Sequence, residues 1–85
     1  RYDEAVKLLE AAASDAESAG IAESEATARG MLAQALLANG KKKEAAENAE
    51  KAIAVAERVG DETALQHFRD LHKLATGWVA PKVDS

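Results

Sequence analysis

Histidine is the side chain with the greatest capacity for chemistry in this sequence, and it occurs twice, at His67 and His72. Two imidazoles bind one metal ion from a single helix when they stand four residues apart. These two are five apart, so they do not share a helix face, and only Asp70 is a nearby carboxylate. Because the chain also has no cysteine, we predict no metal site and expect both histidines at surface or capping positions.

Serine hydroxyls could serve as nucleophiles, but Ser14, Ser18 and Ser24 have no histidine within plausible reach. None of them lies in the G-x-S-x-G motif that exposes a catalytic serine. The glycines stand ten or more residues apart, so no glycine-rich loop is available to hold a phosphate. We therefore predict that this domain is not an enzyme and that it binds no cofactor.

Charge and composition narrow the classes of partner. The net charge is −4 over 85 residues, and the only basic run is Lys41-Lys42-Lys43, which disfavours nucleic acid because phosphate binding needs a clustered positive surface. No apolar run approaches the roughly 18 residues of a membrane span and no signal peptide is recognisable, so we expect no membrane association. The lack of cysteine favours a cytoplasmic location. Since the chain begins at Arg1 and not at methionine, we expect a fragment of a larger protein.

Amphipathic helices are the elements that would position these side chains. Apolar residues recur at intervals of three and four, and Gly20, Gly40 and Gly60 interrupt the pattern, as expected of residues that end helices. The predicted helices span 2–19, 22–39, 42–59 and 62–76. Together they form one helical domain over residues 1–77.

The end of the chain follows a different pattern. Asp61 directly follows Gly60 and is the expected N-cap of the last helix, which should stop near Thr76 and Gly77. Residues 78–85 contain the only proline and have no periodicity. We predict a flexible C-terminal tail there, with Trp78 folded back onto the last helix.

The apolar residues that form the helical pattern recur along one face of each predicted helix. In chain order they are Ala5, Leu8, Leu9, Ala12 and Ala16; Ala22, Ala26, Met31, Leu32, Leu36 and Leu37; Ala45, Ala49, Ala52, Ile53, Ala56 and Val59; and Ala64, Leu65, Phe68, Leu71 and Ala75. Alanine fills 21 positions of the chain, so the helices should approach closely through methyl groups. Gly30 either permits a close helix contact or is a tolerated weakness that costs about 1 kcal/mol relative to alanine.

The sequence of the first helix returns in the third. Residues 1–20 laid over residues 41–60 match at seven of 20 positions. The matched pairs are Glu4 and Glu44, Ala5 and Ala45, Glu10 and Glu50, Ala12 and Ala52, Ala16 and Ala56, Glu17 and Glu57, and Gly20 and Gly60. This period makes the first and third helices equivalent, and likewise the second and fourth. Such periods are typical of solenoids, in which each helical hairpin buries its face against the next.

The residues that carry this repeat resemble a tetratricopeptide repeat array with a repeat of roughly 40 residues. The buried pattern of that family is met by Leu32, Ala33, Leu36, Gly40, Ala45 and Ala52. A preceding partial repeat is met by Tyr2, Ala5, Leu9 and Ala12, and a fainter third one by Phe68 and Leu71. The resemblance covers residues 1–76.

The sequence departs from that family at three positions. Lys42 stands where the family has an aromatic residue and Ala49 where it has phenylalanine or tyrosine, so the central hairpin should be thinner than usual. His72 occupies a position that is small in the family. This affects the close packing expected of the last helix.

The resemblance implies an all-α fold in which antiparallel helical hairpins stack as a short TPR-like α-solenoid of about four helices. It also implies a scaffold or regulatory segment that binds a protein partner, as a peptide or a helix, on the inner wall formed by the second and fourth helices. The residues it places there are Thr27, Met31, Gln34, Gln66, Arg69, Asp70 and Lys73.

Two alternatives remain open on the sequence. A compact four-helix bundle with a structural or oligomerising role would have no peptide groove. A regulatory segment of a multidomain ATPase or transcription regulator is compatible with the array. In an array, the side of the first helix that bears Leu8, Leu9 and Ala12 has no partner within these residues, so we expect either a homo-oligomer or contacts to flanking helices.

Overall fold

Four α-helices make up the computed structural model, which describes residues 2–77. They are α1 (Tyr2–Ala19), α2 (Ala22–Ala38), α3 (Lys42–Val59) and α4 (Glu62–Thr76). Within that range there is no strand, so the prediction of an all-α chain with four helices is confirmed. α2 ends one residue before the predicted end, because Asn39 is its C-cap. The tail expected over 78–85, with Trp78, lies outside the described residues.

The three turns between the helices are built alike. Gly20, Gly40 and Gly60 have φ of 73°, 76° and 76°, the left-handed conformation that glycine adopts without steric cost. After each glycine, the next backbone N–H donates to the carbonyl five residues earlier. These bonds run from Ile21 to Ala16 at 2.9 Å, from Lys41 to Leu36 at 2.9 Å and from Asp61 to Ala56 at 3.1 Å. They satisfy carbonyls at each helix end and turn the chain back sharply.

The helix starts differ from one another in their caps. The Asp61 carboxylate accepts a hydrogen bond from the backbone N–H of Ala64 at 3.0 Å, so its predicted role as N-cap is confirmed. Ile21 and Lys41 occupy the same position before α2 and α3 without a side-chain cap. α4 therefore begins with a stabilising bond that α2 and α3 lack.

Alanine and glycine bring the helices close together in the core. Ala49 and Ala52 are fully buried, and they pack with Ala26 and Ala33 of α2 in a cluster that also holds Phe68. A second cluster, around Leu32 and Leu36, receives Val6 and Leu9 of α1 and Ala75 of α4. Leu32 is the only large side chain within residues 2–77 that is less than 2 % exposed. The core is thin, as the alanine content predicts.

Gly30 of α2 lies directly against the Phe68 ring of α4. A Cβ built on it would overlap Cε1 of Phe68 and would lie 3.1 Å from Cδ1 and 3.3 Å from Cζ. Of the two interpretations of this glycine, close helix packing is the one that the structure supports.

The helices pack in series. α1 packs on α2, α2 on α3 and α3 on α4, and α2 also touches α4. Across the described range α1 packs on neither α3 nor α4. The Cα trace measures 50 × 32 × 15 Å along its principal axes. α1 and α4 therefore have one side each that no other helix covers.

Arg29 joins three of the helices. Its guanidinium donates to Glu17 of α1 at 3.3 Å, to Glu25 of α2 at 3.4 Å and to Asn48 of α3 at 3.5 Å. The Arg29 side chain is 12 % exposed and that of Glu25 is 10 % exposed. Burying a charge is costly unless it is paired, so the guanidinium keeps these three partners close to it. The bonds therefore fix α1 and α3 relative to α2. No motif in the sequence identified this residue.

Only part of the apolar pattern of α1 is buried. Ala13 and Ala16 are buried and Val6 and Leu9 are partly buried, whereas Ala5, Leu8 and Ala12 are exposed. α1 packs on a single helix, which can cover only one of its two neighbouring apolar sides. Alanine lines both sides, so the sequence pattern did not distinguish them.

A smaller difference concerns α3. Val59, placed on the apolar face, is 44 % exposed because it ends α3 next to the turn, and Val55 is buried. On α2, Ala28 is buried, and Met31, which is expected on the inner wall, is 51 % exposed.

Candidate interaction surfaces

The exposed ridge of α2 is formed by Thr27, Met31 and Gln34. They stand four and three residues apart, so they share one face of the helix. All three are exposed. A groove runs along each side of this ridge.

The first groove lies between α2 and α4, and we call it the α2–α4 groove. Thr27, Gly30, Met31 and Gln34 line it from α2, and Ala64, His67 and Phe68 line it from α4. Its volume is about 210 Å³. The absence of a side chain at Gly30 lets the buried Phe68 ring form the floor. The result is a shallow apolar floor with amide, hydroxyl and imidazole groups at its edges.

His67 extends this floor towards solvent. Its ring centroid lies 5.7 Å from that of Phe68, with the planes tilted by 54°. His67 is exposed, so the imidazole is available to a ligand in the groove. Imidazole stacks on aromatic rings and also forms hydrogen bonds, which suits contact with a mixed polar and apolar peptide.

Only part of the predicted inner wall lines this groove. Thr27, Met31 and Gln34 do so, and the four residues expected from α4 do not. These four are Gln66, Arg69, Asp70 and Lys73, all exposed. The Gln66 amide donates to Asp70 at 3.0 Å, and the Arg69 guanidinium lies 3.7 Å from Glu57 of α3. Arg69 thus lies on the side of α4 that faces α3.

The residues with which α4 lines the groove were not predicted from the sequence. Ala64 and Phe68 were expected to be buried, and His67 was expected at the surface with no role in binding. A signal was available: His67 stands three residues after Ala64 and four before Leu71, so it shares their side of the helix. Which side of α4 faces α2 depends on tertiary packing. The sequence pattern alone does not define that side.

The second groove lies between α1 and α2, and we call it the α1–α2 groove. Leu9 and Ala12 line it from α1, and Glu23, Ser24, Thr27, Ala28 and Met31 line it from α2. Its volume is about 390 Å³. Leu8, one residue before Leu9, is 70 % exposed. This groove is larger than the first.

The histidines lie apart from each other. His72 is half-buried, and its Nε2 lies 3.1 Å from a carboxylate oxygen of Glu50 on α3, while His67 faces the α2–α4 groove. Over the range that the structure describes, no group of three or more histidine, aspartate or glutamate side chains could hold a metal ion. No helix there is both long and apolar enough to cross a bilayer.

Comparisons with known proteins found no match for this chain. No protein-family model matches the chain, and neither a curated protein nor a solved structure matches it. The resemblance to tetratricopeptide repeats therefore rests on the period of the internal repeat and on the residues that carry it.

Proposed function

We propose that this chain is a protein–protein interaction module of the TPR-like kind, a scaffold or regulatory segment of a larger cytoplasmic protein. Its partner is a peptide or a helix of another protein, bound in the α2–α4 groove. The observation that carries the proposal is the serial packing: α2 touches α4, whereas α1 and α3 do not touch. This arrangement puts α2 and α4 side by side on one surface.

The repeat supports an array. The alignment of residues 1–20 with residues 41–60 carries the bounds of α1 (Tyr2–Ala19) onto those of α3 (Lys42–Val59). The same backbone bond closes each of the three turns. Equal units joined by equal turns produce a regular stack, and in a stack the surface of one set of alternate helices remains open to a ligand.

The groove itself suits a peptide. Small-molecule pockets are usually deep enclosures of about 300–1,000 Å³, whereas this groove is shallow at about 210 Å³. An extended surface with one aromatic floor and polar edges favours a side chain of a peptide over a whole small molecule.

The alternative is a structural or oligomerising four-helix bundle. Exposed Leu8 favours it, because a second copy could cover this side chain. Against it, a closed bundle packs its first helix on its last, and α1 does not pack on α4 within the described residues. Small-angle scattering separates the two, since the array has a radius of gyration near 13.5 Å, a closed monomeric bundle of this length has about 12 Å, and an oligomer has a larger value than either.

Peptide display on the folded chain tests the function. Peptides selected on the wild type are measured against Gln34→Arg, which changes the groove, and Gln66→Arg, an identical change outside it. We expect Gln34→Arg to weaken binding by about tenfold, because a bulky cation in a narrow groove displaces ligand atoms, and Gln66→Arg to have little effect. If no peptide is selected, or if Gln34→Arg has no effect on any of them, the groove is not the binding site.

A further inference from the structure

In the internal repeat, the α1–α2 groove corresponds to a surface of α3 and α4, and α2 covers that surface. When the alignment of the repeat is extended along the chain, Leu9 and Ala12 correspond to Ala49 and Ala52 of α3. Likewise Ser24, Thr27, Ala28 and Met31 correspond to Ala64, His67, Phe68 and Leu71 of α4. Those α3 and α4 residues lie at the surface that α2 packs on. The only lining residue outside this correspondence is Glu23, whose counterpart is Thr63.

A helix therefore fits this groove in the way that α2 fits its own site. Ala26 and Ala33 of α2 lie in the cluster with Ala49, Ala52 and Phe68, and Gly30 meets Phe68 directly. The incoming helix should carry small residues at the positions equivalent to Ala26 and Ala33. Burial of the groove walls and of exposed Leu8 would then remove apolar surface from water.

One position of the incoming helix must differ from α2. Phe68 corresponds to Ala28 in the α1–α2 groove, so the ring that forces a glycine at position 30 is missing there. The α1–α2 groove, about 390 Å³ in volume, is therefore open at the point where Phe68 meets Gly30 on the corresponding α3–α4 surface. A leucine in place of the glycine would occupy this extra volume, since close-packed interiors leave few voids.

The charge around the α1–α2 groove indicates what kind of helix would bind there. α1 carries five carboxylates and one lysine, a net charge of −4, and α2 carries two carboxylates and one arginine, a net charge of −1. α3 has four cations and four carboxylates, and α4 has two of each. The negative charge is thus concentrated at the α1–α2 end, where Glu23 lines the groove. Complementary charge favours a basic helix at this end.

A second copy of the chain does not provide such a helix. Each of its four helices is neutral or negative, and the acidic α1–α2 ends of two copies would repel each other. We propose that the α1–α2 groove docks one basic amphipathic helix of a partner protein, with two small residues and a leucine on the buried side. The site shares Thr27 and Met31 with the α2–α4 groove but does not depend on a ligand there.

A designed peptide serves as the probe. It has the sequence of residues 21–40 with three changes, Glu23→Lys, Glu25→Lys and Gly30→Leu, and it carries a fluorescent label. The leucine also prevents the peptide from replacing α2 within the chain, because a side chain at that position overlaps Phe68. Two control peptides keep either both glutamates or the glycine. We expect the designed peptide to bind more tightly than both controls, and to bind more weakly as salt is raised.

Matched variants of the full chain locate the site. Ala12→Arg places a bulky cation in the groove, and Ser14→Arg makes the same change of charge on another side of α1. Both positions are exposed, so both variants should fold, and circular dichroism checks this. We expect Ala12→Arg to weaken the designed peptide by about tenfold or more through steric conflict, and Ser14→Arg by less than about twofold, since only screened charge changes there.

Three results would overturn the proposal. The first is no binding of the designed peptide to the wild type, and the second is equal weakening by Ala12→Arg and Ser14→Arg. The third is a concentration-dependent dimer in sedimentation that Ala12→Arg abolishes, since the occupant would then be a second copy. Gln34, which lines only the α2–α4 groove, separates this site from the proposed function: Gln34→Arg should leave binding of the designed peptide unchanged.

Discussion

Replacement of Gly30 by alanine should destabilise the protein, although the same change stabilises most helices. In a helix interior, alanine is favoured over glycine by about 1 kcal/mol. Here the new methyl group would overlap Cε1 of Phe68. That ring is 5 % exposed and lies in a cluster with Leu71 and Val55, so it has little room to move. Overpacking of this kind costs about 1–3 kcal/mol, which leaves a net loss of about 1 kcal/mol.

A double-mutant cycle isolates the contact. Leucine at position 68 has no atom equivalent to Cε1, so in the Phe68→Leu background Gly30→Ala should stabilise by about 1 kcal/mol. The effect of Gly30→Ala thus changes sign between the two backgrounds, a coupling of about 2 kcal/mol. Urea unfolding followed by circular dichroism measures all four proteins. In a domain of this size, about 1 kcal/mol corresponds to a shift in Tm of about 4–8 °C.

A control and a refuting result complete this experiment. Ser14→Ala, at an exposed position of α1, reports the gain from helix propensity alone, a few tenths of a kcal/mol. If Gly30→Ala stabilises the wild type as much as it stabilises Phe68→Leu, then α2 and α4 do not approach each other at this residue. The floor of the α2–α4 groove would then be different from the one described above.

Three further substitutions test the packing. Ala52→Leu should destabilise by about 1–3 kcal/mol in urea unfolding because its site is fully buried, whereas Ala54→Leu on the exposed side of α3 should have little effect; stabilisation by Ala52→Leu would mean that the helix register is wrong. Arg29→Met should lower the free energy of unfolding by about 3 kcal/mol because it leaves the Glu25 carboxylate buried without its cation. Adding Glu25→Gln should restore part of that loss. An Arg29→Met variant as stable as the wild type would refute the role of the Arg29 cluster. Gly60→Ala should lower the free energy of unfolding by about 1 kcal/mol because φ is 76° at this residue, and an unchanged Tm would contradict it.

The arrangement of helices along the chain follows from local rules. Glycine ends a helix because it alone adopts positive φ without strain, so Gly20, Gly40 and Gly60 show where the chain turns. The Asp61 side chain accepts a bond from an N–H of the first turn, so its position before a helix is equally informative. These effects involve residues within one turn of each other. The sequence therefore determines four helices and their approximate ends.

The side of each helix that is buried depends on what packs against it. α1 has alanine or leucine on two neighbouring sides, and only the position of α2 decides that Ala13 is covered and Ala12 is not. The same holds on α4, where contact with α2 puts His67 in a groove and contact with α3 pairs Arg69 with Glu57. Alanine fits almost any helix face equally well, so its periodicity carries little information about direction.

The sequence by itself determined the helical fold, the turns and the internal repeat, because propensity, capping and spacing act within short stretches of chain. The tertiary structure alone decided the two grooves. The α2–α4 groove exists because Gly30 and Phe68, which are distant in the sequence, meet across two helices. The α1–α2 groove exists because α1 packs on one helix only. Contacts between distant residues of this kind depend on the packing of the whole chain, and no local pattern specifies them.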